Sequence, residues 1–165
     1  MNASITRRGG APAVTVRRAT ARDARRLTRL VRGSSAYKGH YASMVAGYRV
    51  GPDYIEAHHV YVAVDQAAEG ERVLGFYALL TAPPELDLMF VADRAQGLGI
   101  GRLLIADMRE RARAAGLTHV RVVAHPPAEG FYRGMGARRT GTVLARPPAV
   151  AWDRPELEFI IPPAA

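Results

Sequence analysis

Three glycines at two-residue intervals, Gly97, Gly99 and Gly101, stand between an apolar run ending at Val91 and a long helical pattern. Backbone N–H groups in such a turn can converge on one point, and the helix N-terminus adds partial positive charge. The segment therefore reads as an anion site, most naturally for phosphate, with an ordinary tight strand-to-helix turn as the alternative. The better-known phosphate loops do not match. A dinucleotide fingerprint starting at Gly97 would need glycine at Arg102 and a later acidic residue on a second strand, and a Walker A loop needs a Gly-Lys-Ser/Thr that this turn lacks. Upstream, Glu85 and Asp87 alternate with Leu86 and Leu88, which puts both carboxylates on one face of a strand. They could serve proton transfer, or could be a solvated strand end after Pro84. His58, His59, His119 and His125 have no H-E-x-x-H or comparable spacing, so no metal site is expected. The absence of cysteine excludes disulfides, thiolate zinc sites and a cysteine nucleophile.

These groups need a scaffold, and the hydrophobic pattern supplies one. Val14 to Arg18 alternates as a first strand. Thr20 with Asp23 resembles a capping box opening a helix whose Ala24, Leu27 and Val31 share a face, and Gly33 closes it. A less regular helical segment spans about Tyr37 to Tyr48, followed by Gly51-Pro52 and a short turn through Ile55. Val60 to Val64 and Val73 to Leu80 form a hairpin, and Leu86 to Val91 is a further strand after Pro83-Pro84. The helix from about Gly99 to Ala115 carries an apolar stripe of Ile100, Leu104, Met108, Ala112 and Ala115. Val120 to Ala124 is a strand, Ala128 to Met135 a short helix, and Arg138 to Leu144 and Leu157 to Ile161 are the last strands. The order predicts an α/β domain with a mostly antiparallel sheet and one parallel pair, because the helix after Val91 must return the chain by a crossover.

A chain of 165 residues with this composition suits one soluble domain: residues 1–12 as a flexible tail and 13–165 as a single folded unit. No apolar run reaches the roughly 18 residues of a membrane span, and Met1 to Ala13 has no signal-peptide core, so a cytoplasmic location and no membrane partner are expected. The formal charge of +8 is concentrated: residues 1–33 hold nine Arg and one Asp, whereas 34–165 balance 14 basic against 14 acidic residues. Arg22, Arg25, Arg26 and Arg29 face outward on the first helix. A solvated face is the favoured reading over nucleic-acid binding.

Gln96-x-x-Gly99-x-Gly101 after a strand, followed later by Phe131-Tyr132-Arg-Gly-Met-Gly-Ala137, strongly resembles the GNAT superfamily of acyl-CoA-dependent N-acetyltransferases. The resemblance runs from the Val14 strand to the Phe159 strand. It implies a mixed, mostly antiparallel seven-stranded sheet with flanking helices and a splayed parallel strand pair. It further implies that Gln96, Gly97, Leu98, Gly99, Ile100, Gly101 and Arg102 offer backbone N–H groups to the diphosphate of acetyl-CoA. Phe90 and Val91 would pair with the pantetheine chain, and an amide near Val91 would polarise the thioester carbonyl. Glu85, six residues before Val91, resembles the glutamate base of histone-type members and is favoured over Asp87. Tyr132 takes the position of the tyrosine that contacts the thioester sulfur as general acid. Pro127 departs from the pattern, standing where many relatives carry Asn, so a side-chain bond to the cofactor is missing there. Ser34, Ser35, Tyr37, Lys38, His40 and Tyr41 fall in the region that shapes the acceptor pocket in this superfamily, or they simply pack the second helix. Tyr37, Tyr41, Glu85 and Asp87 are the candidate acceptor-binding groups.

The expected activity is acetyl transfer from acetyl-CoA to the primary amine of a small molecule, without a metal. A protein or peptide amine as acceptor, or a non-catalytic acyl-CoA-binding domain on the same scaffold, are the alternatives. A homodimer through the C-terminal strands around Trp152 to Ile161 is compatible with the sequence.

Overall fold

In the computed structural model, which describes residues 4–5, 14–37, 39–67 and 69–163, the alternating Val14 and Val16 are buried on strand β2 (Val14–Arg18). A two-residue strand β1 (Ser4–Ile5) pairs antiparallel with it, Ser4 opposite Thr15 and Ile5 opposite Val14. The rest of the expected tail, residues 1–3 and 6–12, lies outside the described residues, as does Lys38. After β2 come helix α1 (Ala24–Arg32), a 3₁₀ helix over Gly39–Met44, helix α2 (Pro52–Ala57), and strands β3 (His59–Ala67), β4 (Gly70–Thr81) and β5 (Pro84–Val91). Helix α3 (Ile100–Ala114), strand β6 (His119–Val123), helix α4 (Glu129–Gly134) and strands β7 (Arg138–Val143) and β8 (Arg154–Ile160) complete the chain.

The hydrogen-bonded strand order is β1-β2-β3-β4-β5-β6-β8-β7. Strands β2 to β8 are the seven expected, and β1 adds a short edge. The β5–β6 pair is parallel; β2–β3, β6–β8 and β7–β8 are antiparallel. Two compact units share these strands: the described residues up to Ala78 with Leu88–Met108, and Leu79–Asp87 with the chain from Arg109 on.

In the first unit, Leu27 and Val31 of α1 pack into a core with Ile55, Val60, Val62, Phe76 and Phe90. Asp23 is buried at the start of α1, where it accepts from the Thr20 N–H at 2.8 Å and from Arg17 and Arg26 at 2.9 and 2.6 Å. Burial alone would raise its pKa, but the Arg17, Thr20 and Arg26 bonds override that and hold it at about 2, against 3.8 for an ordinary Asp. The stabilisation from this carboxylate is therefore complete above the ordinary value and is lost as pH falls through about 2.

Two local expectations change. Of the expected Tyr37–Tyr48 helix, only Gly39–Met44 is helical among the described residues, and as a 3₁₀ turn rather than an α-helix, because the segment lacks a sustained apolar period and Gly39 holds a positive φ. The turn through Ile55 is instead the one-and-a-half-turn helix α2, which Pro52 starts and Ile55 anchors in the core. On α3 the stripe Ile100, Leu104, Met108 and Ala112 is buried as expected, but Ala115 is exposed because the helix stops at Ala114.

Gly75 on β4 fixes the approach of β5 and α3 to the sheet. A Cβ there would sit 2.7 Å from the Phe90 carbonyl oxygen and 3.2 Å from side-chain carbons of both Ile100 and Leu104. Gly75→Ala should destabilise the fold by about 1–3 kcal/mol, read as a lower midpoint in urea with an unchanged slope.

Candidate active site

The turn before α3 lies in the first unit and is open. Residues 96–99 are exposed, Gly97 and Gly99 both hold φ of 78°, and a Cβ on either would meet nothing within 4 Å. That backbone region is costly for any residue but glycine. The first helical bond of α3 runs from the Leu103 N–H to the Gly99 carbonyl at 3.0 Å. Among the described residues nothing accepts a hydrogen bond from the N–H groups of 97–102. A row of unspent donors at the positive end of a 15-residue helix, with no side chain in front of it, suits a diphosphate. Gln96 turns its side chain the other way. Its Nε2 donates to the Val91 carbonyl at 3.2 Å and ties the turn to the end of β5.

Between strand and turn, Asp93 and Arg94 brace neighbouring segments. The Asp93 carboxylate accepts from the Ser35 N–H at 3.2 Å and its hydroxyl at 2.9 Å, and Arg94 Nη2 donates to the Val73 carbonyl at 2.8 Å. Neither residue stood out in the sequence, because each sits in a polar linker with no period to read. Phe90 is buried on β5 and stacks on Phe76 at 5.9 Å and on Tyr37 at 5.7 Å between ring centroids. The segment after α1 is thus fastened to the strand end twice, by a ring stack and by a carboxylate. The Tyr41 ring lies 3.9 Å from that of His40.

Strand β5 pairs parallel with β6, Glu85 opposite Arg121, while the other edge of β6 is paired with β8 from His119 to Val123. The parallel pairing is the one the sequence order required.

Glu85, Asp87 and Tyr132 belong to the second unit. The Glu85 side chain is 22 % exposed, with Oε1 3.6 Å from Arg121 Nη1. Arg121 is shared, because its Nε and Nη2 also donate to Glu156 Oε2 at 2.8 and 2.5 Å. Burial pushes the Glu85 carboxyl above the ordinary 4.5, Arg121 pulls it back, and Asp87 pushes it up again. Asp87 itself is exposed. Arg121 was missed by sequence reasoning, although a lone arginine between Val120 and Val122 on a short strand is a visible signal.

Tyr132 on α4 is 8 % exposed and packs edge-on against Phe159 at 6.4 Å and Phe131 at 5.3 Å. Phe131 is the exposed member of the pair. The end of α4 is held by Arg109, whose Nη2 donates to the Met135 carbonyl at 2.7 Å and whose guanidinium lies 5.0 Å from the Phe159 ring centre. Cations at helix C-termini are stabilising for this reason. The expected outward face of α1 loses Arg26, which is bonded to Asp23 and Glu71, and keeps Arg22, Arg25 and Arg29. No helix among the described residues is long and apolar enough to cross a membrane.

Residues 52–146 match the family model described as acetyltransferase (GNAT) domain. None of the curated protein sequences matches significantly. Among solved structures, a GCN5-related N-acetyltransferase of Rhodopseudomonas palustris is 18 % identical with a TM-score of 0.71, over 92 % of this chain and 96 % of that one. A phosphinothricin acetyltransferase of Sinorhizobium meliloti in complex with acetyl-CoA is 23 % identical with a TM-score of 0.64, over 90 % and 88 % of the two chains. A GNAT family acetyltransferase of Elizabethkingia anophelis with acetyl-CoA bound is 17 % identical with a TM-score of 0.62, over 89 % and 97 %.

Proposed function

The chain belongs to the GNAT acetyltransferase family, and on that footing we propose that it transfers the acetyl group of acetyl-CoA directly to the primary amine of a small molecule. The open row of unspent N–H donors from Gly97 to Arg102 carries this reading, since it suits the diphosphate of acetyl-CoA. The thioester arm extends from there along Val91 and Phe90 at the end of β5, and an amide near Val91 donates to the carbonyl oxygen as negative charge develops.

The acceptor arrives as an ammonium, because an alkyl amine with a pKa near 10 is mostly charged at neutral pH. Glu85 takes that proton, directly or through a water, and its burial raises its basicity toward the working range. The amine lone pair then attacks the carbonyl carbon, a C–N bond forms, the C–S bond breaks, and the leaving thiolate takes the phenolic proton of Tyr132. Phenol and thiol have comparable pKa values, so that transfer is nearly balanced. Tyr37, stacked on Phe90, and Ser35, bonded to Asp93, wall the acceptor side of the strand end, which favours a compact acceptor over an extended peptide. One of the similar structures is likewise an enzyme named for a small molecule, phosphinothricin.

Thiol release from acetyl-CoA in the presence of amines, amino acids, aminoglycosides and peptides tests the proposal. Turnover is expected with a small amine. Turnover with peptides alone would move the acceptor class, and acetyl-CoA binding without transfer to any amine would leave an acyl-CoA-binding domain.

The base assignment has a pH signature. Glu85 must be ionised to act, so kcat/KM should fall on the acid side with a midpoint above the ordinary carboxyl value of 4.5. Arg121→Gln removes a group that favours the charged form and should move the midpoint up, whereas Asp87→Asn removes one that opposes it and should move it down. A limb that stays put in both variants would assign the base elsewhere.

A further inference from the structure

A cleft of about 470 Å³ opens in the first unit between the end of α1, the start of β4 and residues 92–94, and no step of the chemistry described so far uses it. A volume of this size is that of a small-metabolite site. Its polar wall carries three guanidiniums, Arg26, Arg29 and Arg94, and two carboxylates, Glu71 and Asp93.

The charges are unequally committed. Arg26 Nη2 sits 2.6 Å from Asp23 and 3.1 Å from Glu71, and Arg17 lies against the same two carboxylates at 2.9 and 2.6 Å, so those four groups neutralise one another. Asp93 accepts from the N–H and hydroxyl of Ser35, which hold the carboxylate in place but leave its charge. Arg94 is anchored by Nη2 to the Val73 carbonyl, which orients the guanidinium without cancelling its charge. Arg29 is exposed, and among the described residues no carboxylate lies within ion-pair distance of it. The cleft therefore presents two cations against one carboxylate, a net positive charge, beside the apolar Leu30, Val73 and Ala92. A planar guanidinium pair of this kind suits a carboxylate or phosphoryl group, which it can grip with paired N–H bonds.

The position of the cleft in the chain says what such a group would belong to. Ala92, in its lining, directly follows Val91, where the thioester carbonyl is placed, and Ser34, on its rim, begins the acceptor-side segment fastened by Ser35 and Tyr37. We propose that this cleft binds an acidic group carried by the acceptor, so that the substrate is an amine that also bears a carboxylate or phosphoryl group, recognised by Arg29 and Arg94. The proposal rests on the acetyltransferase reading and narrows its acceptor.

Paired substrates test it: each L-amino acid against the amine obtained by removing its carboxylate, with acetyl-CoA saturating. The expected result is kcat/KM at least tenfold higher for the acidic partner in the wild type. That ratio should collapse toward one in Arg29→Gln and be only partly restored in Arg29→Lys, which keeps the charge but not the paired N–H bonds, with acetyl-CoA affinity the same in all three. Equal rates for both partners, or a preference that survives Arg29→Gln, would overturn the cleft assignment while leaving the acetyltransferase reading intact. Loss of acetyl-CoA binding or of all amine acetylation would instead count against that reading. A measurement independent of turnover decides the cleft in that case: malonate, added to the protein with acetyl-CoA present in excess, should raise Tm in the wild type and not in Arg29→Gln. Equal shifts, or none in either, would overturn it.

Discussion

Tyr132→Phe is expected to lower kcat by about two orders of magnitude, the usual contribution of a positioned general acid, with the acetyl-CoA Kd within about twofold of the wild type. The change deletes one oxygen and keeps the ring. Since Tyr132 is buried against Phe159 and Phe131 through its ring faces and edges, the packing that locates α4 survives the substitution. A phenol that served only the core would leave turnover unchanged and alter Tm alone. Calorimetry for cofactor affinity together with steady-state thiol release separates the two, and an unchanged kcat would remove Tyr132 from the chemistry. A series of acceptors adds a second reading: without the phenol, expulsion of the thiolate must draw on water, so the weakest nucleophiles should suffer most.

The second large effect is expected at the turn. Gly99→Val and Gly101→Glu should each weaken acetyl-CoA binding at least about 100-fold, equivalent to some 2.7 kcal/mol. The two variants act differently. At Gly99 the backbone has φ of 78°, which a β-branched residue resists, and the new side chain would project into the open space in front of the N–H donors. At Gly101 the backbone is already helical, so Glu folds without strain and opposes a diphosphate by its charge and bulk. Gly101→Ala is the control, adding a methyl without charge. If Gly101→Glu melts like the wild type and still binds acetyl-CoA normally, the turn does not hold the diphosphate.

Much of this scaffold could be read from residue order because its elements are periodic. The alternation from Val14 to Arg18 marks β2 at its observed ends, and the stripe on α3 is recovered apart from Ala115. The glycine turn was equally visible, since positive φ at Gly97 and Gly99 leaves a direct trace in residue type. What escaped depends on partners distant in the chain. Arg121 matters because β6 brings it beside Glu85 and Glu156, and Asp93 because Ser35 is folded onto it. Helix α2 is too short for a hydrophobic period, and the two-residue β1 exists only by its register with β2. The Glu85–Arg121 register between β5 and β6 is likewise a property of two strands together, and neither segment alone announces it.

Arg121 divides its guanidinium between a residue assigned to the chemistry and one that is not, and this gives the enzyme an adjustable set point. Neutralising Glu156 would release the cation to Glu85 and remove a nearby negative charge, and both changes make the base easier to ionise. An engineer seeking activity in a more acidic medium could therefore leave every group near the thioester untouched and work from the neighbouring strand.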